Sequence, residues 1–213
     1  MKEFNLGSKV VVSDPCYVLP TWCHAVITGV LPGKYIGEVT KTDGTDGWGI
    51  RVATLSATHE DYVDRFGFLD WEQWKGSIGV DSGQCGIFDF EHYRKDKRSD
   101  TYGLPLIWGG KNDDEDGHLW YERMCSLTLS KGDGGVSDDD WGITPDGVVS
   151  STGYGNGSYT LMLGKVEEQV VAFEIIYIGS EDEEDPWEED DEDNGNEGFP
   201  DQDEIDRLTA DLN

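Results

Sequence analysis

Short apolar runs separated by clusters of Gly, Pro, Asn and Asp recur along the first 180 residues. Nine of them, at 9–12, 35–41, 48–55, 77–80, 85–90, 119–129, 147–151, 158–163 and 170–178, have the length and spacing of strands in a sandwich or barrel. The run 170–178 is the longest, with Glu174 its only charge, and reads as a central strand buried on both faces for part of its length. The predicted fold class is mainly β: a compact antiparallel sandwich or barrel with one or two short helices.

The first helix is expected over 58–66, where Thr58 stands as N-cap, Glu60 and Asp61 fall in the first turn, Tyr62 and Phe66 are four apart, and Gly67 follows. A second is expected over 89–97, with Phe90 and Arg94 on one face and the basic stretch 94–98 at its end. That stretch reads as a solvated helix end, the alternative being a local contact for the acidic C-terminal tail. Trp48-Gly49-Ile50 and Trp141-Gly142-Ile143 open similar segments and hint at a duplicated β unit.

Composition supports the strand reading. Glycine supplies 28 of 213 residues and Trp eight, the pairing of tight turns with side chains suited to a pleated, half-buried surface. Charge then divides the chain in two. Residues 181–213 hold 17 Asp/Glu against one basic residue, Arg207, and so carry -16 of the net -29. Residues 1–180 form the expected β domain, and 181–213 the expected acidic, disordered tail, which cannot bury enough apolar surface to offset the entropy of ordering it. Within it, 203–212 places Ile205, Leu208 and Leu212 on one stripe of a two-turn helix that would form mainly on a partner. With Trp187, these are the candidate partner-binding residues of the tail; the alternative is a tail that only solubilises.

Because the body is also acidic, direct nucleic-acid binding through phosphate contacts is disfavoured. No run is long and apolar enough for a membrane helix, and the first residues lack the apolar core of a signal peptide, so no membrane and a cytoplasmic location are expected. Cys16, Cys23, Cys85 and Cys125 form no CxxC and are expected as reduced thiols, with no metal and no cofactor.

Other candidate chemistry is thin. Asn112, Asp114, Asp116 and Gly117 match the first half of a calcium loop, but its twelfth position is Arg123, so a solvated acidic loop is the better reading. The run 153–157, Gly-Tyr-Gly-Asn-Gly, has its third glycine one residue too early for a dinucleotide site and no helical pattern after it, and Asn156-Gly157 is a hairpin turn signal. Cys16 or Cys85 would need a tertiary contact with His24, His59, His92 or His118 to act as a nucleophile.

Three segments go beyond generic β patterning: Ser13-Asp14-Pro15-Cys16-Tyr17-Val18, Val80-Asp81-Ser82-Gly83-Gln84-Cys85-Gly86, and 150–159 with its Gly-Tyr-Gly-Asn-Gly-Ser-Tyr. Together they resemble a family of small phage and bacterial β proteins of unknown function, which usually carries Asp where this chain has Asn156. The resemblance implies a phage or bacterial source, a host-cytoplasmic location if phage-encoded, and a compact β fold; it implies no activity. The candidate ligand-binding residues are Asp14, Cys16, Asp81, Ser82, Tyr154 and Asn156, with Asp14, Asp81 and Tyr154 expected to meet at one end of the domain, although Asp before Pro or Ser-Gly is also what a turn requires. No catalytic residue is assigned. The expected function is that of a non-enzymatic, phage-encoded interaction protein that binds a host or phage protein with help from its acidic tail, a mimic of nucleic-acid charge, the partner carrying a basic or nucleic-acid-binding surface; the alternative is a small-ligand-binding or hydrolytic β domain built on Asp14, Cys16, Asp81 and Tyr154.

Overall fold

The computed structural model describes residues 1–20, 22–43, 49–95 and 116–179. The tail beyond 179, the acidic loop 112–115, most of the basic stretch 94–98 and Trp48 lie outside the described residues, and the architecture is that of the described ones. The strands are β1 (Lys2–Leu6), β2 (Lys9–Ser13), β3 (Ala25–Thr28), β4 (Gly33–Asp43), β5 (Ile50–His59), β6 (Asp70–Gln73), β7 (Ile78–Val80), β8 (Gln84–Asp89), β9 (Trp141–Thr144), β10 (Gly147–Ser151), β11 (Gly157–Val166) and β12 (Gln169–Ile176). One α-helix, α1 (Asp116–Thr128), and two 3-10 segments, Glu60–Phe68 and Lys131–Asp133, complete the fold.

The strands form two antiparallel sheets. A seven-stranded sheet runs β1-β4-β5-β12-β11-β6, with β7 pairing β11, and a five-stranded sheet runs β3-β2-β8-β10-β9. They pack face to face as a sandwich, which decides between the two predicted architectures. Leu55, Phe173 and Ile175 from the larger sheet meet Val12, Ile87 and Val148 from the smaller one in a single core. Tyr35 lies fully buried within it, its hydroxyl donating to the Leu31 carbonyl at 2.8 Å, so the one polar atom of a large ring is satisfied.

The smaller sheet has no wet face in its middle. Val11, Phe88 and Val149 point away from the sandwich core and are covered by Trp120, Met124 and Leu127 of α1. Burial on both faces explains why β2, β8 and β10 read as continuous apolar runs rather than alternating ones. The larger sheet keeps one open face, and β12 shows the change along its length: Val170 to Phe173 are buried, whereas Glu174 and Ile176 are half-buried.

Five expectations are corrected. The run 119–129 is not a strand; its core is helix α1, because Trp120, Met124 and Leu127 recur at four and three and give a stripe that seals the sheet. At Gly142 of β9 a Cβ would come within 2.7 Å of the Leu127 side chain, so the helix rests against bare backbone there. The helix expected over 58–66 is a 3-10 segment starting two residues later. Thr58 remains in the β5 ladder opposite Ile36 and Ala172, and His59 caps instead, its Nδ1 accepting from the Asp61 N–H. The helix expected over 89–97 is not formed in its described part: Asp89 closes β8, and Arg94 sits at φ 53, outside helical geometry. The turn at 153–157 is not a hairpin, since β10 and β11 belong to different sheets; Gly155, at φ 82, takes the left-handed position as the chain crosses over. The two Trp-Gly-Ile segments are not equivalent either: β9 pairs β10 in the smaller sheet, and β5 lies inside the larger.

Candidate functional site

The Asp14 carboxylate organises one end of the sandwich. Asp14 follows β2 directly and is 0% exposed. Its Oδ1 accepts the Cys16 N–H at 2.8 Å and the Ser82 hydroxyl at 2.7 Å, and its Oδ2 accepts the Asp81 and Ser82 N–H groups at 2.8 and 2.7 Å. A buried carboxylate is costly unless donors surround it, and four do so here. The loop after β2 is thereby tied to the turn between β7 and β8. That turn is tied in its own right to the crossover after β10, where the Thr152 N–H donates to the Gly83 carbonyl at 3.0 Å.

Aromatic hydroxyls extend the lattice. Tyr17 donates to Asp81 Oδ2 at 2.6 Å, and Tyr93 donates to the Tyr17 and Asp14 carbonyls at 2.8 and 3.2 Å. The Arg94 guanidinium donates to the Pro15 carbonyl, and Gln84 donates to the Cys125 sulfur of α1 at 3.1 Å. Tyr159 donates to the Gly155 carbonyl at 2.7 Å and fixes the crossover from the other side.

Beside this lattice opens a cleft of about 400 Å³ lined by Tyr17, Trp22, Val80, Asp81, Asn156 and Ser158. The Trp22 side chain is 87% exposed, and the neighbouring Val18 is also exposed. Of the residues picked out from sequence, Asp14, Cys16, Asp81 and Ser82 come together and Asn156 shares the cleft with Asp81. Tyr154 does not line it: its ring lies 4.9 Å from the Arg51 guanidinium in a cation–π contact, because Gly155 turns the chain there. The expected meeting of Asp14, Asp81 and Tyr154 is therefore corrected to a meeting of Asp14, Asp81 and Ser82. The tail residues Trp187, Ile205, Leu208 and Leu212 lie outside the described residues. Sequence reading passed over Tyr17 and Trp22 as lining groups, although Tyr17 stands inside the Asp-Pro-Cys-Tyr motif.

The electrostatics oppose nucleophilic chemistry. Burial, then the hydrogen bond and charge of Asp14, push the Cys16 thiol far above its ordinary value. Burial also pushes Cys85 far up and raises Cys125. Tyr17 is raised by burial and by its hydrogen bond to Asp81, so it stays a protonated donor. Among the described histidines, His59 meets Tyr35 and Tyr62 edge to face, while His92 lies beside Asp89 and Asp146. No group of three or more His, Cys, Asp or Glu among the described residues is arranged to hold a metal ion.

Fold and site together define a two-sheet antiparallel β sandwich, helix-covered on its smaller sheet, with a hydrogen-bonded cleft at one end. No family model matches the chain, and comparison with curated proteins and solved structures gave no significant match.

Proposed function

We propose that the chain is a non-enzymatic interaction protein that grips a protein partner at the Trp22 cleft, with the acidic segment 181–213 as a second contact. The observation that carries this reading is the exposed indole of Trp22 on the rim of a cleft whose walls are fixed in advance by Asp14. A large exposed aromatic on a preorganised rim is the usual anchor of a protein interface, because little ordering is left to oppose association. The net charge of -29 favours a partner with a basic or nucleic-acid-binding surface, and Ile205, Leu208 and Leu212 add an apolar element to the charged tail. The alternative, a hydrolytic or small-ligand domain using Asp14, Cys16, Asp81 and Tyr154, draws less support: Asp14 already accepts four hydrogen bonds, and Cys16 is held as a thiol.

The resemblance to phage and bacterial proteins makes a bacterial lysate the place to look. Capture is compared for the full chain, a Trp22→Ala variant and residues 1–179, at low and high salt. The full chain should retain a partner that Trp22→Ala loses at every salt concentration and that 1–179 holds with reduced salt sensitivity. Equal capture by all three would overturn the reading.

A further inference from the structure

The open face of the larger sheet carries a second concavity that shares no lining residue with the Trp22 cleft. Its floor is set by register. Glu38 of β4 stands opposite Ser56 of β5, and Ser56 opposite Glu174 of β12, so the three form one row across the sheet. In the next row the Thr40 and Thr54 hydroxyls are bonded at 2.7 Å. Val63 and Phe66 of the 3-10 segment add an apolar wall. With strands about 4.8 Å apart, the two carboxyl-bearing positions are separated by roughly 10 Å, and both side chains flank the Ser56 hydroxyl.

Neither Glu38 nor Glu174 makes a side-chain hydrogen bond or ion pair among the described residues. The two lysines of β4 that flank this row pair with other acids, Lys34 with Glu3 and Glu60, and Lys41 with Asp140. Glu174 is half-buried, and burial alone holds its carboxyl above the usual range. A desolvated acid facing a cavity, with a second acid across a hydroxyl and no cation in place, is a site short of positive charge. The cavity is about 160 Å³, room for one side chain and not for a polymer.

We propose that this trough receives the alkylammonium group of a lysine presented by a protein partner, with the ammonium between Glu38 and Glu174 and its methylenes along Val63 and Phe66. An ammonium spreads three donors in three directions, which suits two separated carboxylates and a hydroxyl. A guanidinium offers a planar fork that suits one carboxylate approached side-on. The apolar wall takes the stem of the side chain while its head meets the charges. The assignment rests on the reading of the chain as a protein-binding module and adds the chemistry of a second contact.

The test is an NMR titration of the full chain with Nα-acetyl-lysine amide, run beside its norleucine and arginine counterparts, 1,4-diaminobutane and glucose. The lysine probe should bind at millimolar concentration, shifting the amides of Ser56, Thr58 and Glu174, and should bind more tightly than each of the other compounds. Glu174→Gln and Glu38→Gln should each weaken it by about fivefold. Trp22→Ala should leave it unchanged. Equal binding of norleucine, preference for the arginine probe, or undiminished binding by the double Gln variant overturns the proposal. Tighter binding of diaminobutane makes the occupant a free polyamine, and tighter binding of glucose makes it a sugar; either overturns the lysine assignment. If the trough binds lysine as expected but capture survives Trp22→Ala, the cleft reading falls and the trough stands. If the probe does not bind while capture requires Trp22, the trough falls and the cleft stands.

Discussion

Asp14 holds Ser82 twice: its Oδ2 takes the Ser82 backbone N–H and its Oδ1 takes the Ser82 hydroxyl, each at 2.7 Å. One side chain thus fixes both the path of a turn and the rotamer of the residue on it. Removing the acceptor would leave the N–H groups of Cys16, Asp81 and Ser82 without their partner in a partly buried setting. Asp14→Ala should cost about 3 kcal/mol in urea unfolding, Asp14→Asn about 2 and Ser82→Ala about 1, while Trp22→Ala should change stability by less than about 0.5. An Asp14→Asn protein that unfolds with the wild-type midpoint would show that the lattice contributes nothing.

Six of the nine tyrosines, Tyr17, Tyr35, Tyr93, Tyr121, Tyr159 and Tyr177, have phenols raised chiefly by burial. Above the ordinary tyrosine value of about 10, the unfolded chain gives up these protons while the folded chain keeps them, so stability must fall as pH rises through that point. An ultraviolet titration should show only a minority of tyrosines ionising near pH 10 in the folded protein. The remainder should ionise in one cooperative step that coincides with loss of structure by circular dichroism.

Thiol reactivity should be low in the folded state and complete in the unfolded one. Cys23, Cys85 and Cys125 are buried, and Cys16, although half-exposed, is disfavoured as a thiolate by its own burial and by Asp14. At pH 8 a disulfide reagent should label the native protein at least about tenfold more slowly than a free thiol, and should find four thiols in urea. Rapid labelling of Cys16 in the native protein would contradict the account of the Asp14 lattice.

Glu174 supplies a pH dependence of opposite sign to that of a salt-bridged acid. Its folded-state value is raised by burial, so between the ordinary glutamate value and that raised one the folded chain binds more protons than the unfolded chain, and stability falls as pH rises. Glu174→Gln should raise the melting temperature at pH 7 and leave it nearly unchanged at pH 3.5. A lower melting temperature at pH 7 would mean that the carboxylate is stabilised by a contact in the folded protein.

The α1 seal is testable through Met124, which is fully buried between the helix and the smaller sheet. Met124→Ala should cost about 3 kcal/mol, as a cavity opens beside Phe88 and Trp120.

Much of the β framework was legible in the sequence because most of the predicted strands are flanked by turn formers and carry enough apolar residues to register as runs. β6 escaped notice because an edge strand needs little burial, and Asp70-Trp71-Glu72-Gln73 offers one apolar residue. β1 is nearly as discreet, with Phe4 and Leu6 alone turned inward. The segment of helix α1 reads two ways, because the apolar run 119–129 fits a buried strand while Trp120, Met124 and Leu127 within it carry the helical period. At the cleft, motif residues pointed to Asp14, Asp81 and Ser82, whose roles depend on short polar side chains beside turns. The turning of Tyr154 toward Arg51 depends on a tertiary contact that no local pattern encodes, and the same holds for the convergence of Trp22 with Asn156.

The cleft lies where the chain passes between layers: β7 belongs to the larger sheet and β8 to the smaller, and the crossover from β10 to β11 returns beside that turn. Its width is therefore a gauge of how far apart the two layers stand at that end. A molecule wedged there acts as a rivet through both sheets, and binding must appear as resistance to heat in the whole sandwich and not only as a local change at Trp22. Thermal shift thus offers a label-free screen for partners, and its size follows occupancy because one seam serves both layers.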